Sequence, residues 1–363
     1  MLMERTDTSY RFGAGRYIQE PDILDYSGQE VLRFGSKAYV IGGSKALEAA
    51  EERMIKSFKR AGLDHVTEEY PGYPSAKKIS RLMQSVRENN CDVIVSVGGG
   101  RIMDLAKAAA SRLCVPIVAV PTQAATCAAF SPLSVLYTPE GKSDAYIHFE
   151  QEVNAVLVDE KVMLTQTPRL LAAGILDGMA KYIEIAALSP HNLDEETSIA
   201  RHSAFYMARY TYDILTKKGP AAVRDLKNGQ WTKDLHDVIY INIALTGIVS
   251  AFMQGKGQTS LGHAFNSALR KEFLEDMKGW LHGEGVAVGL LAQLAYNQES
   301  ERIPELKKYM KNFKMPCSLK DLGIEPSDEN TDILFETLRT YPFMIQDERH
   351  ERLLKEALMI VKE

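Results

Sequence analysis

The chain has 363 residues, with 43 Lys+Arg against 48 Asp+Glu for a formal net charge of −5, and 45% hydrophobic and 25% charged residues. That balance fits about two globular domains and excludes a disordered, collagen-like or coiled-coil chain. A pI near 6.0 with no basic cluster argues against nucleic-acid binding as the main task.

The longest apolar run, residues 286–296, is interrupted by Gln293 and falls short of the ~20 residues a bilayer requires, so no membrane span is expected. The polar opening MLMERTDTSY lacks the apolar core of a signal peptide. Cys91, Cys114, Cys127 and Cys317 are widely spaced with no CxxC, which disfavours a disulfide scaffold or a structural zinc cluster. These features together point to a cytoplasmic α/β enzyme.

Residues 38–41 read as a strand ending at Gly42 and Gly43, with Ser44 capping a helix that carries Leu47, Met54, Ile55 and Phe58. A second strand is expected over 65–70, closed by Pro71 and Gly72. Ile79, Leu82, Met83 and Val86 recur at spacings of three and four, as on one helix face. Residues 92–97 form a continuous β-branched run suited to a buried parallel sheet. Gly98-Gly99-Gly100, a helix from 101 to about 113 and a strand over 116–120 follow. Such alternation predicts a parallel sheet with helices on both faces. Residues 133–137 and 145–148, around Pro139-Glu140-Gly141, read as a hairpin, and 156–159 as the last strand. Beyond Leu164 the pattern is helical, with breaks expected at Ser189-Pro190, Lys218-Gly219-Pro220 and Glu325-Pro326-Ser327. A boundary near 160–165 divides the chain into an α/β domain, 1–162, and an all-helical domain, 163–363.

Three loops of the first half suit a dinucleotide. Glycines at 98–100 would let backbone N–H groups approach a pyrophosphate at a helix N-terminus, and Arg101 would add a cation; a ligand-free tight turn is the alternative. After the first strand, where a ribose-binding carboxylate is usual, stand Gly43, Ser44 and Lys45. That trio suits a 2′-phosphate, and so NADP(H) over NAD(H), although a capping serine and a solvated lysine read equally well. Residues 120–127 leave a strand as a small-residue loop carrying the hydroxyls of Thr122 and Thr126.

In the helical half, Asp177, His263 and His282 each sit among small residues, unlike the six other histidines. One carboxylate and two imidazoles with positions left open make a workable divalent-metal site that acts as a Lewis acid on an alcohol or carbonyl oxygen. Taken singly, each also reads as a helix cap, a core histidine or a helix-end cation.

Taken in order, residues 97–107 (VGGGRIMDLAK), 120–122 (VPT), 131–137 (SPLSVLY) and the three metal contexts resemble the iron-containing (group III) alcohol dehydrogenases over nearly the whole chain, closest to the glycerol dehydrogenase branch. The resemblance implies a Rossmann-like parallel-sheet domain and a C-terminal helical domain, as in dehydroquinate synthase, with the active site between them. It implies that Asp177, His263 and His282 hold the metal and serve catalysis, zinc being usual in this branch and iron elsewhere. Gly99 and Gly100 match the pyrophosphate loop. Thr122, Ala125, Ser131, Leu133 and Tyr137 match further cofactor contacts, and Asp104, within the matching run, is expected to bind the cofactor too. The implied reaction is hydride transfer between NAD(P)(H) and a small alcohol or its carbonyl, in a homo-oligomer.

Three positions depart from the pattern. Cys127 stands where glycerol dehydrogenases carry an aspartate that binds polyol hydroxyls, and the loop resembles a hydroxycarboxylate dehydrogenase subgroup that reduces 2-oxo acids with NADPH. The acidic ribose ligand falls at Gly43. A further histidine, one turn after the first metal histidine, is replaced by Asn266. A 2-hydroxy acid or a short polyol is therefore the expected substrate. Glycerol dehydrogenase proper, a dehydroquinate synthase-like carbon–oxygen lyase drawing on Arg270 and Lys271, and a cofactor-binding pseudoenzyme stand as alternatives.

Overall fold

The computed structural model describes residues 12–70, 72–138, 141–188, 198–253, 257 and 259–362. The polar opening, Pro71, Pro139-Glu140 and the expected break at Ser189-Pro190 lie outside the described residues.

The first half follows strand–helix alternation: β1 (Tyr17–Glu20), α1 (Ser27–Val31), β2 (Lys37–Gly42), α2 (Ser44–Ala61), β3 (Asp64–Glu69), α3 (Ala76–Glu88), β4 (Val93–Gly98), α4 (Gly100–Leu113) and β5 (Ile117–Pro121). The antiparallel pair β6 (Leu133–Tyr137) and β7 (Ser143–His148) comes next, then β8 (Ala155–Asp159). Six strands form one parallel sheet in the order β1-β8-β5-β4-β2-β3. Every residue of β4, β5 and β8 is buried, as a sheet covered on both faces requires. Strand β1 has no apolar run, because its four residues sit half-exposed at the sheet edge; the sequence reading passes over it for that reason.

Every described element after β8 is helical: α5 (Glu160–Met163), α6 (Pro168–Leu188), α7 (Ile199–Lys227), α8 (Lys233–Tyr240), a π-helical turn (Ile241–Leu245), α9 (Thr246–Phe252), α10 (Leu261–Glu272), α11 (His282–Tyr296), a 3-10 turn (Ser300–Arg302), α12 (Ile303–Asn312), α13 (Asp328–Leu338) and α14 (Glu348–Ile360); another 3-10 turn, Ile23–Tyr26, lies between β1 and α1. One apolar cluster covers a sheet face and continues through these helices; a second fills the opposite face under α1 and α2.

Three sequence expectations need correction. Lys218-Gly219-Pro220 does not break the chain: α7 runs through Pro220. The turn that the proline loosens is supported from outside, where the Tyr309 hydroxyl donates to the Leu215 carbonyl at 2.6 Å. The α2 cap falls on Gly43, whose carbonyl accepts from Ala46 and Leu47, and Ser44 is the exposed first helical residue. The expectation that no segment is long and apolar enough to span a bilayer, drawn from residues 286–296, needs correction too. Lys233–Phe252 is a continuous helix of mean hydropathy 1.5, with 67% of its most apolar window buried inside the protein. Its apolarity serves the core.

Candidate functional site

The C-terminal ends of β2, β4 and β5 lie side by side, with Gly42 paired to Val97 and Gly98 to Pro121. In open parallel sheets ligands bind at this edge. Gly98 has φ +147, a conformation that favours glycine, and Gly99 caps α4. A Cβ at Gly99 would lie 1.9 Å from the Gln123 side-chain amide, so a side chain there would require Gln123 to move off the α4 N-terminus. Arg101 stacks on the Tyr73 ring at 4.2 Å. At the neighbouring turn a Cβ on Gly43 would meet nothing within 4 Å, and Ser44 and Lys45 are exposed. Thr122 donates its N–H to the Gly98 carbonyl at 3.1 Å and so ties the third loop to the first.

That third loop reaches the helices. Its Ala124 N–H donates to Gln166 Oε1 and its Ala124 carbonyl accepts from Asn242 Nδ2, both at 2.9 Å. Asn242 stands in the π-helical turn, a distortion found often at functional sites. Ser131 donates its N–H to the Cys127 carbonyl at 3.0 Å, and Ala125 sits half-buried between these anchors. Leu133 and Tyr137 open and close β6, with the Tyr137 ring 5.4 Å from that of Tyr73. Asp104 stands on α4, four residues past Gly100. It is buried in an ion pair with Lys107 at 3.3 Å, and Lys107 also donates to the carbonyls of Ser131 and Leu133. Burial pushes the Asp104 carboxyl up to about 6, against the pull of Lys107.

Helices α6, α10 and α11 bring Asp177, His263 and His282 together, with one ligand atom from each within 4.8 Å of the others. The Nε2 atoms of His263 and His282 lie 3.3 and 3.4 Å from Asp177 Oδ1. Burial opposes ionisation of Asp177, but the two imidazoles outweigh it and hold its carboxyl far below the usual range. The small residues around the trio are a packing requirement. A Cβ at Gly283 would lie 2.1 Å from the Ala173 carbonyl, and one at Gly174 would lie 2.0 Å from the Ala124 carbonyl.

Outer partners orient both imidazoles. Glu184, buried on α6, accepts from His263 Nδ1 at 2.5 Å, and its other oxygen accepts from the backbone N–H groups of Ser260 and His263 at 2.8 Å each. Burial would lower His263, but Glu184 and Asp177 overcome that and raise it to about 9. Asn266 faces His282 Nδ1 at 3.1 Å. Glu284 carries a bidentate pair with Arg169, at 2.6 and 2.7 Å, and accepts from the Leu281 N–H, which fixes the first turn of α11 and His282 with it.

Asp177 Oδ1 is buried and has no hydrogen-bond donor, while two Nε2 atoms aim at the same point. An N2O donor set with carboxylate- and amide-supported imidazoles fits a divalent metal. Cys127 stands within electrostatic range of Lys181 and Asp177, and burial pushes its thiol up, so it is a neutral group there. Arg270 on α10 donates to the Trp280 carbonyl at 2.8 Å and stands within electrostatic range of Arg101 and Tyr137.

Glu184, Lys181, Glu284, Gln166 and Asn242 escaped the sequence reading. Asp177, Lys181 and Glu184 stand at i, i+4 and i+7 of α6, a charged stripe on an otherwise apolar helix. That stripe was the available signal. Gln166 and Asn242 carried none.

Residues 14–160 match the family model described as iron-containing alcohol dehydrogenase. The chain is 31% identical over 320 residues to glycerol dehydrogenase of Thermotoga maritima, covering 87% of this chain and 85% of the relative. It is 31% identical over 333 residues to hydroxycarboxylate dehydrogenase A of Escherichia coli K12, covering 90% and 89%. Its fold matches the crystal structure of a probable glycerol dehydrogenase from Sinorhizobium meliloti 1021 with a TM-score of 0.84, at 24% identity and 98% coverage of both chains. The chain belongs to the iron-containing alcohol dehydrogenase family. It is an alcohol oxidoreductase that interconverts a small alcohol and its carbonyl, in a family of NAD-dependent, metal-containing dehydrogenases.

Proposed function

We propose that the chain carries hydride between NADP(H) and a small alcohol or carbonyl, either a 2-hydroxy acid/2-oxo acid pair or a short polyol, at one zinc ion. The observation that carries the reading is the convergence of Asp177 Oδ1 and the His263 and His282 Nε2 atoms beside a glycine-lined sheet edge. A divalent metal held by these three would polarise the reacting oxygen. Zinc is favoured over iron on the resemblance to glycerol dehydrogenases, where zinc is usual; one carboxylate and two imidazoles suit either metal. Residues 1–162 act as the dinucleotide unit and 163–363 as the metal and substrate unit.

In this reading, Gly98, Gly99, Gly100 and Arg101 hold the pyrophosphate, and Thr122, Ala125, Ser131, Leu133 and Tyr137 line the rest of the cofactor path. Asp104 supports that path from below by pairing Lys107, which grips the β6 entry. The open turn at Gly43, Ser44 and Lys45 takes the 2′-phosphate, since no carboxylate repels it. Asn266 is no proton carrier, so the proton leaves through water or the cofactor ribose. We place the enzyme in the cytoplasm as a dimer or larger homo-oligomer; the free cysteines suit a reducing compartment.

The test is turnover of 2-oxo acids and hydroxyketones with NADPH and NADH, before and after chelation and zinc or iron add-back. His263→Ala should abolish turnover while dinucleotide binding persists. Full kcat in that variant would sink the assignment.

A further inference from the structure

We propose that Lys181 is the anchor for a carboxylate on the substrate, which makes the preferred substrate an anionic 2-hydroxy acid or 2-oxo acid. The inference rests on the metal-site reading above and names its substrate class.

Lys181 is only 5% exposed on α6, one turn beyond Asp177 and one turn before Glu184 on the same helix face. Among the described residues its ammonium has no carboxylate within 4.0 Å and no hydrogen-bond acceptor. The two acids of its own helix face are engaged elsewhere. Asp177 is turned to the His263 and His282 imidazoles. Both oxygens of Glu184 are taken up by Ser260 and His263. The stem is buried while Nζ is not fully buried, so the ammonium keeps a small accessible surface without a protein partner, and a charge so enclosed is normally paired.

The Lys181 charge acts on Cys127, on Glu184 and on His263, so it stands within electrostatic range of both the 120–127 loop and the metal-site imidazole. The charge balance points the same way. Asp177 and Glu184 together offset a divalent cation, so Lys181 leaves one positive charge over. A substrate carboxylate cancels it. Cys127 leaves that space free of a competing negative charge, because its buried thiol stays protonated.

The measurement pairs wild type with Lys181→Gln and Lys181→Arg, using 2-oxobutyrate and the neutral hydroxyketone dihydroxyacetone as carbonyls and oxamate as a non-reacting anion. Losing a charged hydrogen bond is expected to raise KM for 2-oxobutyrate on the order of 10–100-fold in Lys181→Gln, with a parallel loss of oxamate binding by calorimetry. KM for dihydroxyacetone should change far less, and Lys181→Arg should recover part of the oxamate affinity. Equal losses for both carbonyls, or unchanged oxamate affinity, overturn the anchor. So does a change in zinc affinity without one in oxamate affinity, since Lys181 would then only balance the acids. A wild-type enzyme that prefers dihydroxyacetone leaves the dehydrogenase reading standing and overturns the anchor. One that turns over neither carbonyl removes the proposed function, and oxamate binding then decides for or against the anchor.

Discussion

Gly43 is a cap without a side chain, facing open space at the end of β2. An aspartate fits there without strain and places a carboxylate where a 2′-phosphate would lie. Gly43→Asp should lower kcat/KM for NADPH at least about tenfold, in line with one lost charge-assisted contact, and raise it for NADH. Fold stability should not fall, because aspartate is a good N-cap. A wild-type preference for NADH would contradict the reading. His263 offers a second prediction at this scale. In the metal-free chain its pKa of about 9, against an ordinary 6.5, means that the folded state holds the proton more tightly. That stability is complete below 6.5 and is lost as pH rises through 9. The melting temperature of metal-free protein should therefore drop between pH 7 and 9.5. Zinc binding at pH 7.5 should release close to one proton, read by calorimetry in buffers of different ionisation enthalpy. Absence of proton release would mean that Glu184 does not hold His263 protonated.

Helix α4 is joined to the entry of β6 by Lys107, which sits in a buried ion pair with Asp104 of the same helix. Lys107 and Asp104 neutralise each other, while Lys107 also donates to the Ser131 and Leu133 carbonyls. Removing one partner leaves a buried charge, so Lys107→Met should cost about 3–5 kcal/mol in urea unfolding. Lys107→Met combined with Asp104→Leu should recover a good part of that loss, because no charge then remains buried. Equal destabilisation by the single and double variants would show that the carbonyl contacts dominate. The same packing logic explains the glycine-rich helices of the site. Helices α6 and α11 approach until backbone touches backbone at Gly283, so the metal-ligand positions come together only where Cβ atoms are missing. Small residues around Asp177, His263 and His282 were legible in the sequence. Their meaning as close helix contacts was not, because it depends on which helices meet.

At the scale of the whole molecule, the loop after β5 is held by both halves, through Gly98 on one side and Gln166 and Asn242 on the other. Dinucleotide bound at the sheet edge therefore stabilises the chain as a unit. At 100 times its Kd, a ligand of the folded state adds about 2.7 kcal/mol. NADPH at a fixed concentration should raise the melting temperature more than NADH does, and a larger shift with NADH would again count against the 2′-phosphate site.

The sequence by itself determined the parallel sheet, the glycine turns and the helical second half, because period-2 and period-3.6 patterns and β-branched runs are local signals. It singled out Asp177, His263 and His282 as candidates, since protic residues among small neighbours are unusual along a chain. Edge strand β1, the uninterrupted helix through Pro220 and the grip of Glu184 on His263 were decided only by tertiary structure. Each depends on partners 76 to 139 residues away: Val156 beside Tyr17, Tyr309 beside Leu215, and Glu184 beside Ser260 and His263. No local pattern encodes hydrogen bonds and charges at that separation, because they arise only once the chain has closed on itself.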